Sequence, residues 1–261
     1  MSVLTPTRGH QAVYRLNPVS KLVASAIISV ALVLSIDWVS ASVALAIEAL
    51  LFPWAGLGPR RFFLRTLPAW IAAPLGAVTI LLYGRPSGDT YFQFLLIHVS
   101  DGSIELAVAT LLRVLAIALP AIVLFATIDP TDLADGLAQV LKLPARFVIG
   151  ALAGLRLIGL FLDDWRSLEL ARRARGIADR GRLRRFASQA FALLVLSIRR
   201  GSKLATAMEA RGFGASTPRS WARPSRLRAP DFALIGLGAF VAASAVTASV
   251  ATGNWNFIAG Q

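Results

Sequence analysis

Two short stretches carry the residue types best suited to chemistry. Ala171-Arg172-Arg173-Ala174-Arg175-Gly176-Ile177 and Ala207-Met208-Glu209-Ala210-Arg211-Gly212-Phe213 lie 36 residues apart and match at both Ala positions, at Arg, at Gly and in the apolar residue that follows. A guanidinium is a planar fork that grips a carboxylate through two parallel hydrogen bonds, and the small Ala beside it lets a partner surface come close. Gly suits the left-handed position just past a helix end, which puts Arg175 and Arg211 in a last turn, near the negative end of the dipole. Two matched ends suit a partner with two matched sockets. The alternative is a pair of ordinary helix ends that happen to read Arg-Gly.

Other chemistry is thinly represented. The chain has no Cys, and its two His, His10 and His98, are isolated, which excludes disulfide scaffolds, zinc ribbons and Cys-His hydrolases. Asp129, Asp132, Asp135, Asp163 and Asp164 invite a metal reading. However, adjacent Asp163 and Asp164 point about 100° apart on a helix, and solvated faces or dipole caps suit these carboxylates better. No catalytic residue and no metal ligand is assigned. There is no GxxxxGK[ST] phosphate loop, so the chain is not expected to hydrolyse ATP. Fifteen basic residues between Arg172 and Arg228 face only Asp179 and Glu209. Beside membrane spans such a stretch reports topology and attraction to anionic lipid rather than nucleic acid.

The elements that must position the two Arg-Gly ends are set by a membrane. Of 261 residues 56% are hydrophobic and 16% charged, against about 25% charged in an ordinary soluble domain. Five apolar blocks are expected to span: about Lys21 to Ile36, Trp38 to Trp54, Phe62 to Tyr83, Ile104 to Ile128 and Phe232 to Val250. Tyr91 to Val99 is too short and reads as an interfacial or re-entrant piece. The polar, Pro-containing first 20 residues predict no cleavable signal peptide. With the N-terminus in the cytoplasm, 25 of the 27 Lys and Arg fall inside, leaving Arg85 outside and Arg113 within the membrane. The expected fold is therefore all-α and polytopic, with about five transmembrane helices and long cytoplasmic helices. Residues 1-128 form an N-terminal segment and four spans, 129-230 a cytoplasmic region, and 231-261 a last span and tail lying outside.

Function is expected in the cytoplasmic region. Asp129 reads as an N-cap with Pro130 at the first helical position and a short helix to about Leu141, broken by Leu143-Pro144. A longer helix is predicted from near Ala145 to about Arg175 and another from about Leu183 to Arg211. Each has an apolar stretch to turn toward the bilayer and a polar end for the cytosol. The Gly150-x-x-x-Gly154 pair permits close helix approach. The stretch from Ser216 to Arg228 reads as a linker.

Taken in order, Leu16-Asn17-Pro18-Val19-Ser20-Lys21-Leu22, Asp129-Pro130-Thr131-Asp132-Leu133-Ala134, Leu143-Pro144, Arg156 and the two Arg-Gly ends resemble the transmembrane T component of energy-coupling factor (ECF) transporters, the EcfT or CbiQ family. The resemblance covers about Leu16 to Val250. It implies a non-enzymatic scaffold without cofactor in the cytoplasmic membrane, coupling two ABC-type ATPases to a membrane-embedded vitamin- or metal-binding S component. It also implies that Ala174-Arg175-Gly176 and Ala210-Arg211-Gly212 are the coupling motifs, each seated in a groove of one ATPase. The substrate would be chosen by the S component. The other readings are a stand-alone membrane transporter or a basic membrane-anchored interaction protein. Within the membrane, Arg113 is expected either to pair with Glu48 or to contact the substrate-binding partner.

Overall fold

Asn17 and Pro18 start the first helix as their types dictate. The Asn17 side chain accepts from the Val19 N–H at 2.9 Å, and Pro18 occupies a position whose N–H would have no partner. In the computed structural model, which describes residues 12–56, 58–84, 87–94, 97–176, 181–214 and 220–255, this helix, α1, covers Pro18–Val33. There follow α2 (Trp38–Leu51), α3 (Pro59–Tyr83), an antiparallel hairpin of β1 (Thr90–Phe94) and β2 (Ile97–Ser100), then α4 (Asp101–Phe125) and α5 (Pro130–Gln139). The chain continues with α6 (Ala145–Ala174), α7 (Arg182–Ala210) and α8 (Ala229–Ala251). The architecture is all-α and polytopic apart from this strand pair, to which the described residues of Tyr91 to Val99 belong, their β-branched and aromatic types suiting a ladder.

Among the described residues four helices, α3, α4, α6 and α8, are long and apolar enough to cross a membrane, whereas α1 and α2 are apolar but only 16 and 14 residues long. The expected second span reached Trp54. Instead α2 stops at Leu51, where Pro53 draws the chain into a 3-10 turn that Gly56 closes at φ 70°. Pro68 and Pro74, by contrast, are carried inside α3, and Pro120 inside α4. His10, Arg85, Ile177, Asp179 and Ser216, all named above, lie outside the described residues.

The chain divides into two units, Leu137–Pro224 and a second made of the described parts of Pro6–Gly136 and Ser225–Gln261. In the second unit α4 packs against α1, α2 and α3, while α8 packs against α1 and α2. Small residues make the interfaces: Ala44, Ala116 and Ala245 sit with Ile28, Leu32 and Val241, and Ala69 and Ala73 with Leu115 and Leu119. Between membrane helices burial supplies little drive, so close backbone approach over Ala and Gly replaces it. Leu50, Leu64, Leu75 and Phe240 are exposed, as expected where lipid is the solvent. Two helix backbones meet closely at Gly238 on Ala24, where an added Cβ would meet the Ala24 Cα and carbonyl oxygen at 3.0 Å. Gly238→Val should therefore force α1 and α8 apart and cost about 1–3 kcal/mol by overpacking. A thermal melt of the detergent-solubilised variant that matched wild type would contradict that contact.

In the Leu137–Pro224 unit, α6 and α7 run in opposite senses. Asp164 takes two hydrogen bonds from Arg200, at 2.6 and 3.3 Å, and further along α6 Arg172 donates to Ser188 at 2.9 Å. The Trp165 and Phe186 rings lie 5.6 Å apart. Many apolar side chains of this unit, Phe147, Leu155, Ile158, Phe191 and Leu194 among them, are exposed.

Candidate functional site

The two Arg-Gly ends share a left-handed Gly whose N–H bonds the carbonyl three residues back. At the end of α6, Arg175 is the cap residue, Gly176 has φ 66° and its N–H bonds the Arg173 carbonyl at 3.0 Å. At the end of α7, Gly212 has φ 76°, its N–H bonds the Glu209 carbonyl at 2.9 Å, and the Phe213 N–H bonds the Met208 carbonyl at 2.9 Å. The last pair of bonds is the Schellman arrangement, which satisfies carbonyls a helix end leaves open and requires the left-handed Gly. Ala174, Arg175 and Gly176 are exposed, as are Ala210, Arg211 and Gly212.

The neighbouring arginines separate into engaged and free. Arg173 pairs with Glu169 at 2.7 Å and Arg172 with Ser188. Arg175 and Arg211 have no ion pair or side-chain hydrogen bond among the described residues. Because α6 and α7 run oppositely and each is about 45 Å long, the two free guanidinia sit at opposite ends of the helix pair. Arg211 also borders a cavity of about 550 Å³ between α6 and α7, floored by Ile149, Leu152 and Leu204 and flanked by Arg156. This cavity had no signal in the sequence, since the antiparallel pairing that forms it is non-local.

Asp163 and Asp164 diverge as their spacing predicts. Asp163 faces Arg166 at 3.8 Å on the surface, while Asp164 holds Arg200. Among the described residues no group of His, Asp and Glu is arranged to hold a metal ion. Asp129 accepts the Thr131 N–H at 2.7 Å, the cap that opens α5.

A buried polar clasp in the second unit gives structural meaning to the Asn17-to-Lys21 and Thr127-to-Asp132 segments. Asp231, buried in the first turn of α8, accepts from the Asn17 N–H at 2.6 Å, the Arg228 N–H at 2.7 Å and the Ser20 hydroxyl at 3.1 Å. The Asn17 amide also donates to Ser225 at 3.0 Å. Lys21, 1% exposed, donates to the Thr127 hydroxyl at 2.9 Å and carbonyl at 3.2 Å, with Asp132 and Asp231 supplying opposite charge. The clasp ties the starts of α1 and α8 to the end of α4. Sequence reasoning named these segments without assigning them this role.

The expected pairing of Arg113 with Glu48 is not formed. Arg113 donates to the Ser35 carbonyl, and Asp37 is the carboxylate whose charge acts on it, while both oxygens of buried Glu48 lack a hydrogen-bond partner. The long Arg side chain reaches back toward the polar turn before α2 instead of across to Glu48. Asp37 lies in that turn, outside the spanning segments. Burial pushes its carboxyl up, but hydrogen bonds from the Ser35 hydroxyl and from the Ser40 N–H and hydroxyl outweigh burial and hold it below the ordinary carboxylate range. A lowered folded-state pKa contributes stability that is complete above the unfolded value, about 3.9, and lost as pH falls through the folded one. Stability should thus hold down to about pH 4 and fall below it, with Asp37→Asn flattening that acid limb in melts at stepped pH. An unchanged limb would count against the capped turn.

Residues 9–220 match the CbiQ family, described as cobalt transport protein. The chain is also similar to three proteins called energy-coupling factor transporter transmembrane protein EcfT. The one from Limosilactobacillus fermentum (strain CECT 5716 / Lc40) is 29% identical over 190 residues, covering 68% of this chain and 67% of the relative. That from Lactococcus lactis subsp. cremoris (strain MG1363) is 27% identical over 87% of this chain and 90% of the relative. The Streptococcus equi subsp. equi (strain 4047) protein is 26% identical over 78% and 80%. With a multi-pass helical architecture and a family match across most of its length, the chain belongs to the CbiQ family of membrane transport proteins.

Proposed function

We propose that this chain is the transmembrane T component of an ECF-type ABC importer, a non-catalytic subunit coupling two cytoplasmic ATPases to a membrane-embedded S component that binds a vitamin or metal. The observation that carries the reading is the pair of exposed arginines, without a side-chain partner among the described residues, each followed by a left-handed Gly at the end of one of two antiparallel helices, Arg175 and Arg211. Two equal plugs at opposite ends of one rigid pair suit two equal sockets on an ATPase dimer. Ala174 and Ala210 leave room for the socket wall, and each guanidinium offers a fork to an acidic group inside it. ATP-driven closure of the dimer would move the plugs, and the helix pair would carry that motion to the S component, tilting it to expose its site. The exposed apolar side chains of α6 and α7 suit contact with bilayer and S component. The excess of basic residues supports placing the N-terminus and residues 129-230 on the cytoplasmic side, with the apolar stretch of α6, long enough to cross, turned toward the bilayer.

The test is reconstitution of the chain with the ATPases and small membrane protein of its own host into liposomes. The reading predicts ATP-dependent substrate accumulation that requires all components. Accumulation without the ATPases would favour a stand-alone transporter.

A further inference from the structure

Glu48 is 3% exposed, and neither of its carboxyl oxygens has a hydrogen-bond partner. Among the described residues no cation of the chain acts on it. An ionisable side chain in a membrane bundle is costly unless something satisfies it, so an orphaned one marks a place for a partner. Glu48 forms part of the wall of a cavity of about 290 Å³ in the second unit, otherwise lined by apolar residues that include Ile28, Pro120, Leu124, Leu237 and Val241. The cavity lies where α2 and α4 end and α1 and α8 begin. Glu48 is three residues from the end of α2, so it sits about 4.5 Å along the axis from that end. Leu237 at the wall is 37% exposed, and Phe240, one turn on, is 62% exposed. The opening is therefore onto lipid-facing surface.

We propose that this cavity binds an amphiphile whose primary ammonium is held by the Glu48 carboxylate while its chain fills the apolar part. As a carboxylate Glu48 offers two unpartnered acceptor oxygens; an ammonium brings three donors together with the compensating charge, whereas a hydroxyl brings one donor and no charge. The space holds about ten water-sized groups, enough for part of one chain beside a small head. The same chemistry is carried by an aminophospholipid and by a free long-chain amine.

The full chain is reconstituted into phosphatidylcholine nanodiscs doped with one of three lipids bearing the same photoreactive chain: a phosphatidylethanolamine, a phosphatidylcholine or an alkylamine. Cross-linked peptides are quantified by mass spectrometry. The phosphatidylcholine headgroup is cationic but has no N–H, so it controls for charge alone. Labelling of the α4 and α8 cavity segments by phosphatidylethanolamine should exceed that by phosphatidylcholine by about tenfold or more. Glu48→Gln should remove the difference, and Leu237→Trp, at the wall and tolerant of size, should reduce labelling by every probe. A preference seen with the alkylamine alone, and lost in Glu48→Gln, assigns the site to free amines. If neither amine shows labelling that depends on Glu48, or phosphatidylcholine labels equally, the proposal is overturned.

Discussion

Charge reversal at Arg211, and separately at Arg175, is expected to abolish retention of the ATPases while leaving the chain folded in the membrane. Both guanidinia are exposed and unengaged, so within the chain itself each substitution should change stability by no more than about 0.5 kcal/mol. In the complex each would face an acidic group across a desolvated contact, and removing one partner of such a pair costs about 2–5 kcal/mol. That is about thirty-fold to several-thousand-fold in affinity. Glu in place of Arg adds repulsion to the loss. Arg211→Lys keeps the charge without the fork and should fall between. Titration of purified ATPase onto the immobilised chain reads this directly, and an affinity within about threefold of wild type for both reversals would remove the coupling role.

The largest effect on stability is expected at the clasp. Asp231→Ala strands the Asn17 and Arg228 N–H groups and leaves Lys21 with one opposing carboxylate fewer. Breaking a buried charge network by removing one member costs about 3–5 kcal/mol, about 6–20 °C in melting temperature for a chain of this size. Asp231→Asn retains one acceptor and should lose less. Lys21→Met removes the cation but packs well, and the double variant with Asp231→Asn should cost less than the two singles together, since the charges stabilise one another. Strictly additive losses would mean that Lys21 and Asp231 act independently.

Helix boundaries were legible because the chemistry that sets them is local. Asp129-Pro130, Arg175-Gly176 and Arg211-Gly212 each announce a cap within two or three residues and end or open a helix there, whereas the first helix starts at Pro18, ahead of the Lys21 expected for its span. The limits of α6 and α7 fall within a residue or so of those read from periodicity. Contacts across the bundle were not legible. Glu48 and Arg113 lie about 15 and 18 Å along their helices from the same end of the bundle, so depth favoured their pairing. Helix rotation and the reach of the Arg side chain send Arg113 to Ser35 instead. Asn17 and Asp231 are 214 positions apart, and nothing in either neighbourhood signals the other. The matched Arg-Gly ends were readable as a repeat. Their placement at opposite ends of an antiparallel pair, and the separate engagement of Arg172 and Arg173 that leaves Arg175 free, required the packed helices.

The most direct measurement is affinity capture of the chain expressed in its own host, with mass spectrometry of the proteins it retains. Wild type should hold two ABC-type ATPase subunits and a small membrane protein, and Arg175→Glu and Arg211→Glu, inserted at equal levels, should each lose the ATPases. A folded wild-type chain that retains no ATPase would contradict the account.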